Sequence, residues 1–393
     1  MDMSVNNMKL MGSRLSLAVL LVCMTILAAC GNNNQESTGQ AEAGANEDGN
    51  GKVGVVTTFY PLYYLASEIG GEHAEVVNLV PAGVEPHDWS PKSRDLDNAS
   101  KADLFLYNGA GFEGWVDNFL KGLSTDSTVV TSEVSHGIEL IDGSKTDDNH
   151  QEEAAEEQTH QEDAHADEHA HEEEGHADEQ AHEEGHADEQ AHEEGHADEQ
   201  AHEAEAEDDG HGHDAHGHSL DIDPHTWVSP KSALIMAENI KNSFIEVDAD
   251  NEASYIANFE VLQEKLTALD AKFEEQLSQT TRKDIVVSHQ AFGYLTRDYG
   301  LNQVSIMGLS PDAEPRAQDL MNIANFVKQN GIQYIFFEEL VSSDLADTLA
   351  REAKVDTLVL NPLEGLTPQQ EQAGEDFISL MEVNLQNLLK ALQ

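Results

Sequence analysis

KVGVVTTFYPLYYLASEIGGEHAEVVNLV, residues 52–80, decides the fold class. Val53–Thr58 is a β-branched run and reads as a strand. Pro61–Ile69 has helical spacing, Gly70-Gly71 stops it, and Glu75–Val80 is a second strand. A strand, a helix and a strand in succession form a βαβ unit, which places the two strands parallel. The alternation continues downstream with a helix over Ser93–Ala99, a strand over Leu104–Tyr107, a helix over Phe112–Leu120 and a short strand over Thr128–Thr131. It restarts after residue 280, with strands at Asp284–Ser288, Gln303–Met307, Tyr334–Phe337 and Thr357–Leu360. Helices at Ala291–Tyr299, Ala317–Gln329 and Ser343–Ala353 separate those strands, and Glu375–Leu392 closes the chain.

Two helices stand between the halves. Ser229–Val247 has Ser229 as N-cap and Pro230 in its first turn. Asp250–Gln279 carries Tyr255, Phe259, Leu262, Leu266, Leu269 and Phe273 every three or four residues, which makes one apolar stripe. A helix of about 30 residues spans roughly 45 Å, enough to run along two lobes. The expected architecture is therefore α/β: two Rossmann-like parallel-sheet lobes, residues 52–249 and 281–393, joined by a long linking helix at 250–280.

The N-terminal end has a different character. Lys9 and Arg14 precede an apolar run from Leu15 to Ala29, the pattern of an export signal. That run is short for a membrane span, which needs about 20 residues. It ends Leu27-Ala28-Ala29-Cys30-Gly31, which resembles the lipobox of bacterial lipoproteins. The expectation is a signal peptide over 1–29, lipidation of Cys30, and a polar tether over 30–51. Cleavage there removes Cys23 and modifies Cys30, so the mature chain has neither a free thiol nor a disulfide.

Residues 147–219 break the α/β pattern. Asp, Glu and His crowd the interval, no Lys or Arg lies between Lys145 and Lys231, and HADEQAHEEG at 176–185 repeats at 186–195. Fifteen of the twenty histidines fall between His150 and His218. With no apolar face to stack, the tract reads as a disordered His/Asp/Glu-rich insertion whose imidazoles and carboxylates collect metal weakly. It contains two H-E-x-x-H matches, His182 to His186 and His192 to His196. That motif supports protease chemistry only on a stable helix, and this glycine-punctuated repeat is no such helix. The formal charge of −56 argues against nucleic acid as a partner, since phosphate binding needs Lys and Arg, and is compatible with binding cations.

Three histidines outside the tract share a setting. Pro86-His87-Asp88-Trp89-Ser90-Pro91 and Pro224-His225-Thr226-Trp227-Val228-Ser229-Pro230 are both a Pro-His-x-Trp turn followed by a Ser-Pro helix start. That reading puts each histidine at a loop edge, just before a helix N-terminus. His289 follows the strand Ile285-Val286-Val287. Ligands of open α/β sheets bind beyond the carboxyl ends of the strands, so these loops can converge on one cleft. Three neutral imidazoles are good zinc ligands and leave a fourth position to fill. For that position the residues themselves leave Glu338, Glu339 and Glu364 open, all near strand ends.

Four stretches carry a resemblance: Gly83-Val84-Glu85-Pro86-His87-Asp88-Trp89, Asp223-Pro224-His225-Thr226-Trp227, His289-Gln290-Ala291-Phe292-Gly293-Tyr294 and Asn361-Pro362-Leu363-Glu364-Gly365-Leu366. Residues 52–393 resemble the zinc-type solute-binding proteins of metal ABC importers, two-lobed proteins joined by one rigid helix. The resemblance implies that His87, His225, His289 and Glu364 bind the metal, Glu364 being the position at which some relatives use water instead. It implies no catalysis and no organic cofactor, with Zn2+ as the transported ligand. The implied partners are a membrane permease and its ATPase, and the implied state is a monomer held outside the cell membrane by lipid on Cys30. Imidazole favours zinc over manganese, which suits oxygen ligands. The rival readings are a zinc-storage or adhesion lipoprotein and a zinc hydrolase.

Overall fold

The computed structural model describes residues 51–143, 221–311 and 315–393. The signal segment, Cys30, nearly all of the tether and the 147–219 insertion with its H-E-x-x-H matches lie outside the described residues. No helix of the described residues is long and apolar enough to cross a membrane.

In the first lobe β1 (Val53–Thr57) lies between β2 (Ala74–Asn78) and β3 (Leu104–Tyr107), and β4 (Val130–Glu133) completes the order β2-β1-β3-β4. All three ladders are parallel. Helix α1 (Tyr60–Gly70) makes the first crossover, with Pro61 in its opening turn, and ends against Gly71, whose φ of 51° suits a residue without Cβ. Helices α2 (Ser93–Lys101) and α3 (Val116–Gly122) follow. Val56, Phe105, Ala99 and Phe119 close one side of the sheet.

Helix α4 (Pro230–Val247) begins as the sequence implies: the Ser229 hydroxyl accepts from Lys231 N at 3.3 Å and Pro230 sits at the first position. Helix α5 (Glu252–Ser278) buries Tyr255, Phe259, Leu262, Leu266, Leu269, Phe273 and Leu277 along one stripe. It packs against α1 and α4 of the first lobe and against α6 (Gly293–Tyr299) and α10 (Phe377–Leu392) of the second.

The second lobe holds two parallel pairs, β5 (Asp284–Val287) with β6 (Asn302–Ser305), and β7 (Tyr334–Phe337) with β8 (Asp356–Val359). β5 lies beside β7, but the backbone ladder is interrupted there. At the strand ends the Ser288 hydroxyl, not a main-chain N–H, reaches Phe336 O at 3.3 Å. Helices α7 (Ala317–Gln329), α8 (Asp344–Ala353) and α9 (Pro368–Ala373) complete the lobe. One apolar cluster runs from β1 and α1 through α4 and α5 to β5 and α10, so both lobes share a core.

Two local expectations are corrected. The helix expected over Phe112–Leu120 starts only at Val116, because Gly109, Ala110 and Gly111 all have positive φ and fold residues 109–115 into a loop. The first Ser-Pro pair does not start a helix: α2 begins at Ser93 with Lys92 at the N-cap, whose N–H donates to Asp95 Oδ2 at 2.7 Å.

Candidate metal centre

Each of the four candidate residues leaves a strand or enters a helix on the same side of the lobes. His87 stands on the loop after β2, which Gly83 N ties to Leu366 O at 2.8 Å. His225 opens a short 3-10 turn, Thr226–Val228, before α4. His289 lies just beyond β5, and Glu364 follows β8.

Their tips meet. His225 Nε2 is 3.3 Å from His87 Nε2 and 3.3 Å from His289 Nε2. Glu364 Oε1 is 3.6 Å from His87 Nε2, 3.5 Å from His225 Nε2 and 3.6 Å from His289 Nε2. These are long for hydrogen bonds. A tetrahedron with metal–ligand bonds of about 2.0–2.2 Å has edges of about 3.3–3.6 Å. Five edges of such a tetrahedron are therefore built from protein atoms. Glu364 Oε1 is buried without a hydrogen-bond partner, which leaves its lone pairs aimed at the centre of the cluster.

Behind the tips, two histidines are braced. Asp223 Oδ1 accepts from His225 N at 3.0 Å and lies 2.8 Å from His225 Nδ1. Glu338 Oε1 accepts from His289 N at 3.1 Å, and its Oε2 is 2.6 Å from His289 Nδ1. A carboxylate at Nδ1 fixes the ring and frees Nε2 to bind. The His225 side chain is fully buried, against the loop-edge setting expected of it, as is that of His289 at the end of its strand; that of His87 keeps 7% exposure. Trp227 lies in the core, and its Nε1 donates to Pro362 O at 2.7 Å, which closes one loop over the other. Phe112 forms an apolar wall, its ring 5.1 Å from that of His87 and 4.7 Å from that of Trp227.

Protonation preferences differ around the cluster. Burial lowers the pKa of His225, opposed by Asp223. Burial also acts to lower His289, but the Glu338 and Glu364 carboxylates overcome it and hold His289 well above its ordinary value. Glu364, though burial opposes its charge, is held well below the usual carboxylate range by His87 and His289. Glu85, two residues before His87, is pushed up to about 9 by burial and by the Glu364 charge.

The structure sorts the three carboxylates that the residues had left open. Glu364 faces the cluster, Glu338 stands behind His289, and Glu339 Oε2 accepts from Asn361 Nδ2 at 2.8 Å and Gln370 Nε2 at 2.6 Å. Asp223, Glu85 and Phe112 escaped the sequence reading as site residues. So did the buried Glu113, which accepts from Thr58 Oγ1 at 2.6 Å and Asn108 N at 2.7 Å. Asn108 Nδ2 in turn donates to Pro224 O at 3.0 Å, holding the His225 turn. The acid-Pro-His spacing shared by Glu85-Pro86-His87 and Asp223-Pro224-His225 was a local signal for two of them.

Chemically, three imidazoles and one carboxylate oxygen suit a tetrahedral borderline-soft cation and not an octahedral, all-oxygen one. With the carboxylate in the fourth corner, no position remains for a water to be activated.

Fold and centre together define a two-lobed α/β protein with three histidines and a glutamate clustered at the lobe junction. The chain belongs to the ZnuA family, described as zinc-uptake complex component A, periplasmic, which it matches over residues 55–391. It is 35% identical over 375 residues to the zinc-binding lipoprotein AdcA of Streptococcus pneumoniae, a match covering 95% of this chain and 60% of that protein. It therefore spans 60% of that relative's length, less than two thirds. It is 33% identical to the high-affinity zinc uptake system protein ZnuA of Bacillus subtilis, covering 96% of this chain and 97% of that one. The crystal structure of the Zn(II)-bound ZnuA-like domain of Streptococcus pneumoniae AdcA matches with a TM-score of 0.62 at 33% identity, covering 87% of this chain and 99% of that one.

Proposed function

We propose that this chain captures Zn2+ outside the cell membrane with His87, His225, His289 and Glu364 and delivers it to the permease of an ABC importer. The observation that carries the reading is the set of five ligand-to-ligand distances between 3.3 and 3.6 Å, the edges of a zinc tetrahedron. The carboxylates behind His225 and His289, the orphaned Glu364 Oε1 and the zinc-uptake names of the relatives support it. A closed four-ligand shell suits capture and not hydrolysis. Lipid on Cys30 holds the protein at the membrane as a monomer, and the 147–219 insertion serves as an accessory collector; both rest on the sequence.

Calorimetry tests the site. Protein lacking residues 147–219, stripped of metal, is expected to show one tight zinc site, and His289→Ala is expected to abolish it. If no tight site survives the deletion, the insertion is the real binder and the importer reading falls with the site.

A further inference from the structure

Leu363, directly before Glu364, has φ 61° and is fully buried. A left-handed backbone is uncommon for a residue with a Cβ, and it persists only where its surroundings enforce it. Here the enforcing residue is Asn361. Its Oδ1 accepts from Leu363 N at 2.7 Å and its Nδ2 donates to Glu339 Oε2 at 2.8 Å. Its own main chain is held from both sides by a second amide: Asn361 N donates to Asn384 Oδ1 at 2.8 Å, and Asn384 Nδ2 donates to Asn361 O at 2.6 Å. Every polar group of Asn361 is thus engaged. The next residue is fixed as well, since Pro362 O accepts from Trp227.

Asn384 is the unexpected member. It sits in α10 among Leu380, Met381, Leu385 and Leu388, all buried, and is itself only 2% exposed. That position belongs to the apolar face of the helix, where a leucine would pack without desolvating an amide. The amide is nevertheless fully used, and only on the main chain of Asn361. A buried polar side chain aimed at a ligand-bearing loop is a device for holding that loop.

We infer that Asn384 and Asn361 form a clamp that imposes the left-handed turn at Leu363 and so aims the Glu364 carboxylate at the three histidines. Asn384, whose side-chain hydrogen bonds both end on the main chain of Asn361, is then a positioning residue of the centre. The inference rests on the assignment of Glu364 as a ligand.

The test is a double-mutant cycle on the full chain loaded with one equivalent of zinc, timing release to a chelator and, in parallel, the visible spectrum of the Co2+ form. Asn384→Leu puts an apolar side chain in the position and removes the clamp; Asn384→Ala serves if the larger leucine overpacks. Loss of such an outer contact weakens metal sites by about 10- to 100-fold. Release is expected to accelerate by that factor, with the Co2+ bands moving toward those of Glu364→Ala. In the Glu364→Ala background the same change is expected to alter release by less than about twofold, because the clamp then has nothing to aim. Equal acceleration in both backgrounds, or none in the wild-type background, overturns the clamp. If Glu364→Ala alone leaves release and spectrum unchanged, the ligand assignment fails and the inference fails with it, a pattern distinct from the other two.

Discussion

His225 and His289 meet at one point with opposite proton preferences. Burial drives His225 toward the neutral imidazole, which is the form a metal needs. His289 is buried to the same degree, but Glu338 and Glu364 make its protonated form the stable one in the metal-free protein. The signs then follow. A raised histidine stabilises the fold fully below its ordinary value of 6.5, and the contribution is lost as pH rises through the folded-state value. Glu364 is lowered, so its contribution is present above 4.5 and lost as pH falls through its folded-state value. The pair stabilises the metal-free protein most between those two ordinary values. Zinc must displace the His289 proton, so binding is expected to release close to one proton and to weaken about tenfold for each unit of acidification below the His289 pKa. Calorimetry in buffers of different ionisation enthalpy reads the proton directly; a zinc affinity flat across neutral pH would contradict this account. The same scale shows what the sequence hid. Glu338, Glu339 and Glu364 are alike as residues near strand ends. What separates them is tertiary contact, Glu338 with His289, Glu339 with Asn361 and Gln370, and Glu364 with the cluster beside the left-handed Leu363, and a leucine gives no hint of a positive φ.

Helix α5 is the element most legible in the sequence and the one on which most of the core depends. Its stripe of Tyr255, Phe259, Leu262, Leu266, Leu269 and Phe273 is buried as the spacing implies, because a 3.6-residue period needs no long-range information. Leu266 is fully buried in the cluster shared by both lobes. Leu266→Ala is expected to cost about 2–5 kcal/mol, the range for a deleted core leucine. Urea denaturation monitored by circular dichroism measures it, and a loss under about 1 kcal/mol would mean the helix is held by its ends and not by its stripe. Where pattern reading went astray, tertiary contact decided. The helix expected from Phe112 loses its first turn because Glu113 folds under to accept from Thr58, Asn108 and Gly109, and Phe112 is left to pack on His87. The loop after β3 gives up a turn of helix so that one ring and one buried carboxylate can support the centre. The short helix α9 went unforeseen because its cap, Thr367 with Gln370, follows only one turn after the Glu364 loop.

At the scale of the whole molecule, the two lobes are not separate bodies on a flexible joint. One apolar cluster passes through both of them and through α5. Polar ties cross beside the centre. Trp227 donates to Pro362, the Ser229 hydroxyl bonds to Asp298, Tyr294 OH donates to Asp223 O at 2.7 Å and accepts from Ile141 N at 3.3 Å, and Arg297 Nη1 donates to Glu139 O at 2.6 Å. Opening the lobes as a hinge would break these bonds and split the core, and hinge motions need joints of a few unconstrained residues. On the proposed function, zinc is expected to enter a preformed site, with movement confined to side chains and loops. Of the four candidate ligands His87 has the most exposed side chain, 7% against 1% or less, and no carboxylate is placed at its Nδ1 among the described residues, so its loop is the cheapest part of the cluster to displace. Spin labels placed by Asp126→Cys in the first lobe and Met321→Cys in the second, both exposed sites, test this on a chain starting at residue 52, which contains no other cysteine. The distance between them is expected to change by no more than about 1 Å on adding zinc, the scale of preorganised binding. A contraction of several ångströms would show that the shared core yields, and that the metal closes the lobes instead of entering a cage they already form.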